Sequence, residues 1–191
     1  MLRRPADLVI YAHKMIYEPT IHINMIKILF VCLGNICRSS SAEEIMRTFV
    51  ARQDLTTQIE VDSAGILSYH QGELPDERMR SHAIRRGYNL THHSRPVRTD
   101  DFFEFDMIIG MDDRNIQDLR EKAPDLETEK KIFRMTDFCR KKVIDYVPDP
   151  YYGGAQGFEN VLDILEDACE GLLEHVKETN SFCQQNSIQG K

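Results

Sequence analysis

From Ile28 to Val176 the chain alternates short apolar runs with longer segments whose apolar residues recur every three or four positions. Ile28 to Cys32 is a continuous run rich in β-branched and aromatic residues, as expected of a strand buried on both faces of a parallel sheet. Gly34 and Asn35 then signal a turn, and Ala42, Ile45, Met46, Phe49 and Val50 share one face of a predicted helix. The unit recurs. Ile59 to Ala64 reads as a strand and Asp76 to Arg86 as a helix stopped by Gly87. Asp106 to Met111 reads as a strand, and Asp113 to Ala123 as a helix that ends before Pro124. Lys131 to Met135 is a weaker strand, and Pro148 to Gly157 a loop. Phe158, Val161, Leu162, Leu165, Cys169, Leu172, Leu173 and Val176 mark a long amphipathic helix. Strands alternating with helices predict an α/β fold around a parallel sheet of about four strands. Such sheets bind ligands beyond the carboxyl ends of their strands, which is where the segment from Cys32 to Ser39 falls.

The domain is predicted to begin at Met25, where the pattern becomes regular, and to run through 179. Residues 1–24 form an upstream extension of unassigned role, native or not, ordered or not. Arg3 and Arg4 precede only five apolar residues, Leu8 to Ala12, before His13 and Lys14 intervene; a secretory leader needs about 7–15. Residues 180–191 read as a polar, frayed tail.

Composition narrows the functions available. With 41% hydrophobic and 29% charged residues, the chain can bury a core, and 191 residues suit one domain. The net charge of −7 argues against general nucleic-acid binding, which relies on excess Lys and Arg, while leaving room for a local anion site. The longest clean apolar run, Ile28 to Leu33, is far short of the ~20 residues of a membrane span. The odd set Cys32, Cys37, Cys139, Cys169 and Cys183 does not suit a secreted disulfide scaffold. No zinc-type spacing occurs either, so no metal or cofactor is expected, and reducing cytoplasm is the expected compartment.

The segment Cys32-Leu33-Gly34-Asn35-Ile36-Cys37-Arg38-Ser39 carries the chemistry. A loop entering a helix points unpaired backbone N–H groups at one centre, and the helix dipole adds positive potential there. Gly34 and Asn35 allow the positive φ that a tight nest requires. Arg38 can clamp two phosphate oxygens with its planar fork. Cys32 lies at the floor of this cup, where the field favours a nucleophilic thiolate, and Ser39 can hydrogen-bond its sulfur. Phosphoryl transfer to sulfur also needs a proton donor. Asp149, between Pro148 and Pro150 and followed by Tyr151 and Tyr152, reads either as a plain turn or as that acid, held in extended backbone by its prolines and screened from water by aromatics.

These motifs together resemble the low-molecular-weight protein tyrosine phosphatases. The likeness runs from Met25 to about Val176 and includes Asp62-Ser63-Ala64-Gly65, Met111-Asp112 and the Phe158-Glu159-Asn160-Val161 helix start. It implies a three-layer, flavodoxin-like fold with helices on both sheet faces. By resemblance, Cys32 is the nucleophile, Arg38 the clamp, and Asp149 first the general acid and then the general base. Leu33, Gly34, Asn35, Ile36, Cys37 and Ser39 bind phosphate through the loop. Ser63 and His92 support it with Asn35, and Tyr69, Tyr151 and Tyr152 line the substrate cleft. Cys37 is expected to resolve an oxidised Cys32 as a disulfide. Where many members have Pro after the loop serine, this chain has Ser40-Ser41, which is expected to loosen the first helical turn. The implied partners are phosphotyrosine proteins or small aryl phosphates, with phosphate as product or inhibitor.

Three rivals share related folds. Arsenate reduction relays a disulfide through further mid-chain cysteines, and none occurs between Cys37 and Cys139. Protein-arginine phosphatases resemble one another in carrying Thr at the position of Ile36; the bulkier Ile36 favours a flat phosphotyrosine ring. Sugar-phosphotransferase carrier domains lack the clamp arginine and the acid loop that Arg38 and Asp149 supply.

Overall fold

The structure is a computed structural model that describes residues 25–189, apart from the side chains of Tyr152 and of 180–189. The extension 1–24 lies outside the described residues. Four parallel strands, β1 (Ile26–Cys32), β2 (Ile59–Gly65), β3 (Met107–Gly110) and β4 (Ile132–Arg134), lie in the order β2-β1-β3-β4. The helices are α1 (Arg38–Arg52), α2 (Glu77–Arg85), α3 (Asp101–Glu104), α4 (Asp113–Lys122), α5 (Leu126–Glu129) and α6 (Gly154–Gln189).

The side-chain period of two on central β1 separates two cores. Ile28 and Phe30 pack with Ile45 and Met46 of α1, Met79 of α2, and Phe158, Leu162 and Leu165 of α6. Leu29 and Val31 face the other way, onto Phe102, Ile116 and Leu119 from α3 and α4. The result is the expected three-layer α/β sandwich. The parallel register pairs Cys32 with Gly65 and Val31 with Gly110, so the carboxyl ends of three strands share one edge. Gly65 suits this close approach: an added Cβ would crowd the Leu67 carbonyl oxygen at 3.0 Å and the Gly34 carbonyl carbon at 3.1 Å.

The elements differ from the sequence reading chiefly at α3, at α5 and at both ends of α6. Helices α3 and α5 were not anticipated; they are single turns with little room for periodicity, although α5 has a capping box between Asp125 and Thr128. Helix α6 starts at Gly154, inside the expected Pro148–Gly157 loop, because the glycines there mask a helix start. It also continues through Gln189, where fraying was expected. No Pro or Gly lies between Gly171 and Gly190 to break its ladder. Among the described residues, no helix is long and apolar enough to cross a membrane.

Candidate active site

Five residues separate the nucleophile candidate at the end of β1 from the first residue of α1, and they curl over the carboxyl edge of the sheet. Asn35 makes the turn in the left-handed region, at φ 57°, which Asn tolerates better than most residues. Its backbone N–H donates to Cys32 Sγ at 3.3 Å, and Ser39 Oγ lies 3.1 Å from the same sulfur. The Ser40 and Ser41 hydroxyls donate to the Cys37 carbonyl at 3.2 and 2.7 Å. These serines therefore fasten the first turn of α1, correcting the expectation that they loosen it. Cys32 and Cys37 are both buried, free thiols. Burial, then the charge of Cys32, pushes the Cys37 thiol well above its ordinary range.

Arg38 is buried and held from two elements. Its Nη1 donates to Asp112 Oδ2 at 2.5 Å and to the Val147 carbonyl at 3.1 Å. Burial opposes its charge, but the charge of Cys32, followed by Asp112 and Asp149, outweighs that cost and raises its pKa. Asp112 is placed by topology: it follows β3 and caps α4, accepting from the Asn115 N–H at 2.8 Å. Asp149 Oδ2 lies 3.7 Å from Arg38 Nη2. Its Oδ1 accepts the Tyr151 N–H at 3.0 Å, fixing the loop after it as a short 3₁₀ turn. Cys32, Leu33, Gly34, Ile36, Cys37 and Arg38 thus form one side of a cavity of about 280 Å³, and His70, Asp149 and Tyr151 complete it.

Behind the cup, a buried polar network fixes Asn35. Its Nδ2 donates to Ser39 Oγ at 3.0 Å and to Ser63 Oγ at 2.8 Å. Its Oδ1 accepts the Arg95 N–H at 3.0 Å and faces His92 Nε2 at 3.1 Å. Ser63 Oγ donates to Glu43 Oε2 at 2.6 Å, and His92 Nδ1 lies 3.1 Å from that oxygen. Burial works against the Glu43 carboxylate, but His92, Ser63 and Arg47 outweigh it and hold the carboxyl below its usual range. Ligand atoms of Glu43, Asp62 and His92 lie within 4.8 Å of one another. Each already has a partner, Asp62 being gripped by Arg95 at 2.7 and 3.0 Å, so the cluster serves as a hydrogen-bonded brace.

The structure brings Cys32, Arg38, Asp149, the loop residues, Ser63 and His92 together. Tyr151 lines the cavity, whereas Tyr69 is 83% exposed and the neighbouring His70 stands at the wall. The side chain of Tyr152 lies outside the described residues. Sequence reasoning missed roles for His70, Asp112, Glu43 and Arg95. Asp112 could have been found, since it directly follows a strand on the ligand-binding edge. Glu43 and Arg95 act through partners far away in sequence and carry no local signal.

A parallel α/β sheet with a thiol beneath an anion cup, an arginine fork across it and a carboxyl at its rim defines the class of cysteine-dependent phosphatases. The sequence model for low molecular weight phosphotyrosine protein phosphatases matches residues 27–182. The human low molecular weight phosphotyrosine protein phosphatase is 38% identical over 148 residues, covering 77% of this chain and 93% of its own. A crystal structure of a protein tyrosine phosphatase from Entamoeba histolytica, with Hepes in its active site, is 48% identical with a TM-score of 0.79, covering 81% of this chain and 98% of its own. The Drosophila arginine phosphatase structure is 32% identical with a TM-score of 0.74, covering 80% of this chain and 98% of its own. This chain belongs to the low molecular weight phosphotyrosine protein phosphatase family, a family of hydrolases.

Proposed function

We propose that this chain hydrolyses phosphotyrosine through a cysteinyl-phosphate intermediate, with Cys32 as nucleophile, Arg38 as clamp and Asp149 as proton carrier. One observation carries the reading: Cys32, Arg38 and Asp149 line a single small cavity, with the Arg38 guanidinium and the Asp149 carboxyl 3.7 Å apart. The phosphoryl oxygens take the N–H groups of the loop and the Arg38 fork. Cys32 Sγ attacks phosphorus; the S–P bond forms as the P–O bond to the phenol breaks, and Asp149 gives its proton to the departing oxygen. Asp149, now a carboxylate, takes a proton from water. The water oxygen attacks phosphorus, the S–P bond breaks, and phosphate leaves. Asn35 N–H and Ser39 Oγ, both within reach of the sulfur, stabilise the thiolate before it attacks and again as it leaves phosphorus.

Substrates are phosphoproteins or aryl phosphates. Ile36, whose branched apolar side chain lines the cavity, supports tyrosine over arginine as the phosphorylated residue. The compartment that suits this chemistry is the reducing cytoplasm, which keeps Cys32 as a thiol. The net charge of −7 disfavours nucleic acid as a partner. The test is hydrolysis of phosphotyrosine, phosphoserine and phosphoarginine peptides side by side with EDTA present. Rapid turnover of phosphotyrosine alone is expected. Preference for phosphoarginine, or loss of activity in EDTA, contradicts the reading.

A further inference from the structure

We infer that Arg78 is a positioning residue for the general acid, tying the Asp149 loop to the phosphate loop. The inference rests on the reading of Asp149 as proton donor. Arg78 lies on α2, outside the cavity wall, and its side chain is half exposed. An arginine so placed ordinarily extends into solvent, but this one is held on both sides. Its Nε and Nη2 grip the two oxygens of Asp76 at 3.1 and 2.8 Å, a bidentate pairing that fixes the guanidinium plane. The same plane lies over the Tyr151 ring, 4.9 Å from its centroid, and 5.1 Å from that of Phe158. The remaining nitrogen, Nη1, donates to the Tyr151 carbonyl at 3.3 Å.

Both ends of this clamp reach the chemistry. At one end, the Asp76 backbone N–H donates to the Ile36 carbonyl at 2.8 Å, so the carboxylate that grips Arg78 is anchored to the phosphate loop. At the other end, the residue that Arg78 covers donates its own N–H to Asp149 Oδ1 at 3.0 Å. The path Ile36, Asp76, Arg78, Tyr151, Asp149 therefore consists of hydrogen bonds and one cation–π stack throughout. It fixes the acid relative to the cup that holds the phosphoryl group. The direct approach of Asp149 to Arg38, 3.7 Å, is too long to do this alone. A proton donor displaced by about 1 Å loses roughly a hundredfold in rate, so a device that sets this distance acts on catalysis without touching substrate.

The role has a signature that a purely structural arginine lacks. Loss of acid alignment hurts most when the leaving phenol needs its proton, and least when an electron-poor phenol departs unaided. The experiment measures kcat/KM for a series of aryl phosphates of rising phenol pKa with wild type, R78A, R78K, D149N and R78A/D149N, in the full chain. R78A is expected to fall about 10–100-fold for the most basic phenol and less than about twofold for the most acidic. R78K keeps a cation near the rings but cannot span Asp76 and the Tyr151 carbonyl together, so it should behave like R78A. The double variant should be no slower than D149N within about twofold, since both remove one function. A uniform loss across phenols in R78A, full activity in R78K, or additive losses in the double variant would overturn the inference. If D149N itself shows no dependence on the phenol, the reading of Asp149 fails instead, and the two failures are distinct.

Discussion

Arg38 and Asp112 meet at 2.5 Å beside the cavity, one from the first residue of α1 and the other from the turn after β3. The carboxylate fixes one edge of the guanidinium and leaves the other toward the cup. D112N keeps an oxygen able to cap α4 but removes the negative charge that faces Arg38. The expected outcome is a fall in kcat/KM of about tenfold or more, with weaker competitive inhibition by phosphate and little change in melting temperature. Unchanged phosphate inhibition would show that Arg38 is oriented without Asp112.

Asn35 joins the loop to its brace through both side-chain atoms. N35A strands buried partners and leaves alanine at φ 57°. A destabilisation of about 1–3 kcal/mol is expected from the unsatisfied groups, together with a raised KM. Denaturant unfolding checks the first and steady-state kinetics the second. N35G, which accepts the backbone but not the network, should recover part of the stability and none of the KM.

Much of this arrangement was legible in the sequence because it is local. The nucleophile, the clamp and the turn residues lie within one strand–loop–helix unit whose periodicity announces itself, and the prolines around Asp149 mark its loop. Ser40 and Ser41 misled, because a serine hydroxyl in a first helical turn can bond back to a carbonyl as readily as it can compete with the helix. Tyr69 stands exposed, and its neighbour His70 lies at the cavity wall. Arg95, Glu43 and Arg78 were invisible as site residues. Their roles depend on which distant side chains the fold delivers, and no spacing rule encodes that.

Outside the site, α2 is pinned to α6 through Glu159, which meets His82 at 2.5 Å and Arg86 at 2.5 and 3.0 Å. His82 first and Arg86 next pull its carboxyl down to about 2 from an ordinary 4.5. A depressed folded pKa means the stabilisation is complete above the unfolded value and is lost as pH falls through the folded one. E159Q should therefore melt below wild type at neutral pH, and the gap should close as pH drops from about 4.5 toward about 2. A gap that stays constant with pH would assign the effect to packing.

Ser41 is buried and donates to the Cys37 carbonyl at 2.7 Å. S41A should cost about 0.5–1.5 kcal/mol and raise the KM for phosphorylated substrates, since the carbonyl it holds belongs to the phosphate loop. An S41A enzyme of unchanged stability and KM would remove the fastening role.

The central claim, transfer of the phosphoryl group to Cys32, is tested most directly by trapping the intermediate. D149N lacks the base for the second step but can still release an acidic phenol, so mixing it with para-nitrophenyl phosphate, denaturing within milliseconds and mapping the peptides by mass spectrometry isolates the adduct. The account predicts a phosphoryl group on the peptide containing Cys32, absent from C32S. A phosphoryl group on any other residue, or its persistence in C32S, would contradict it.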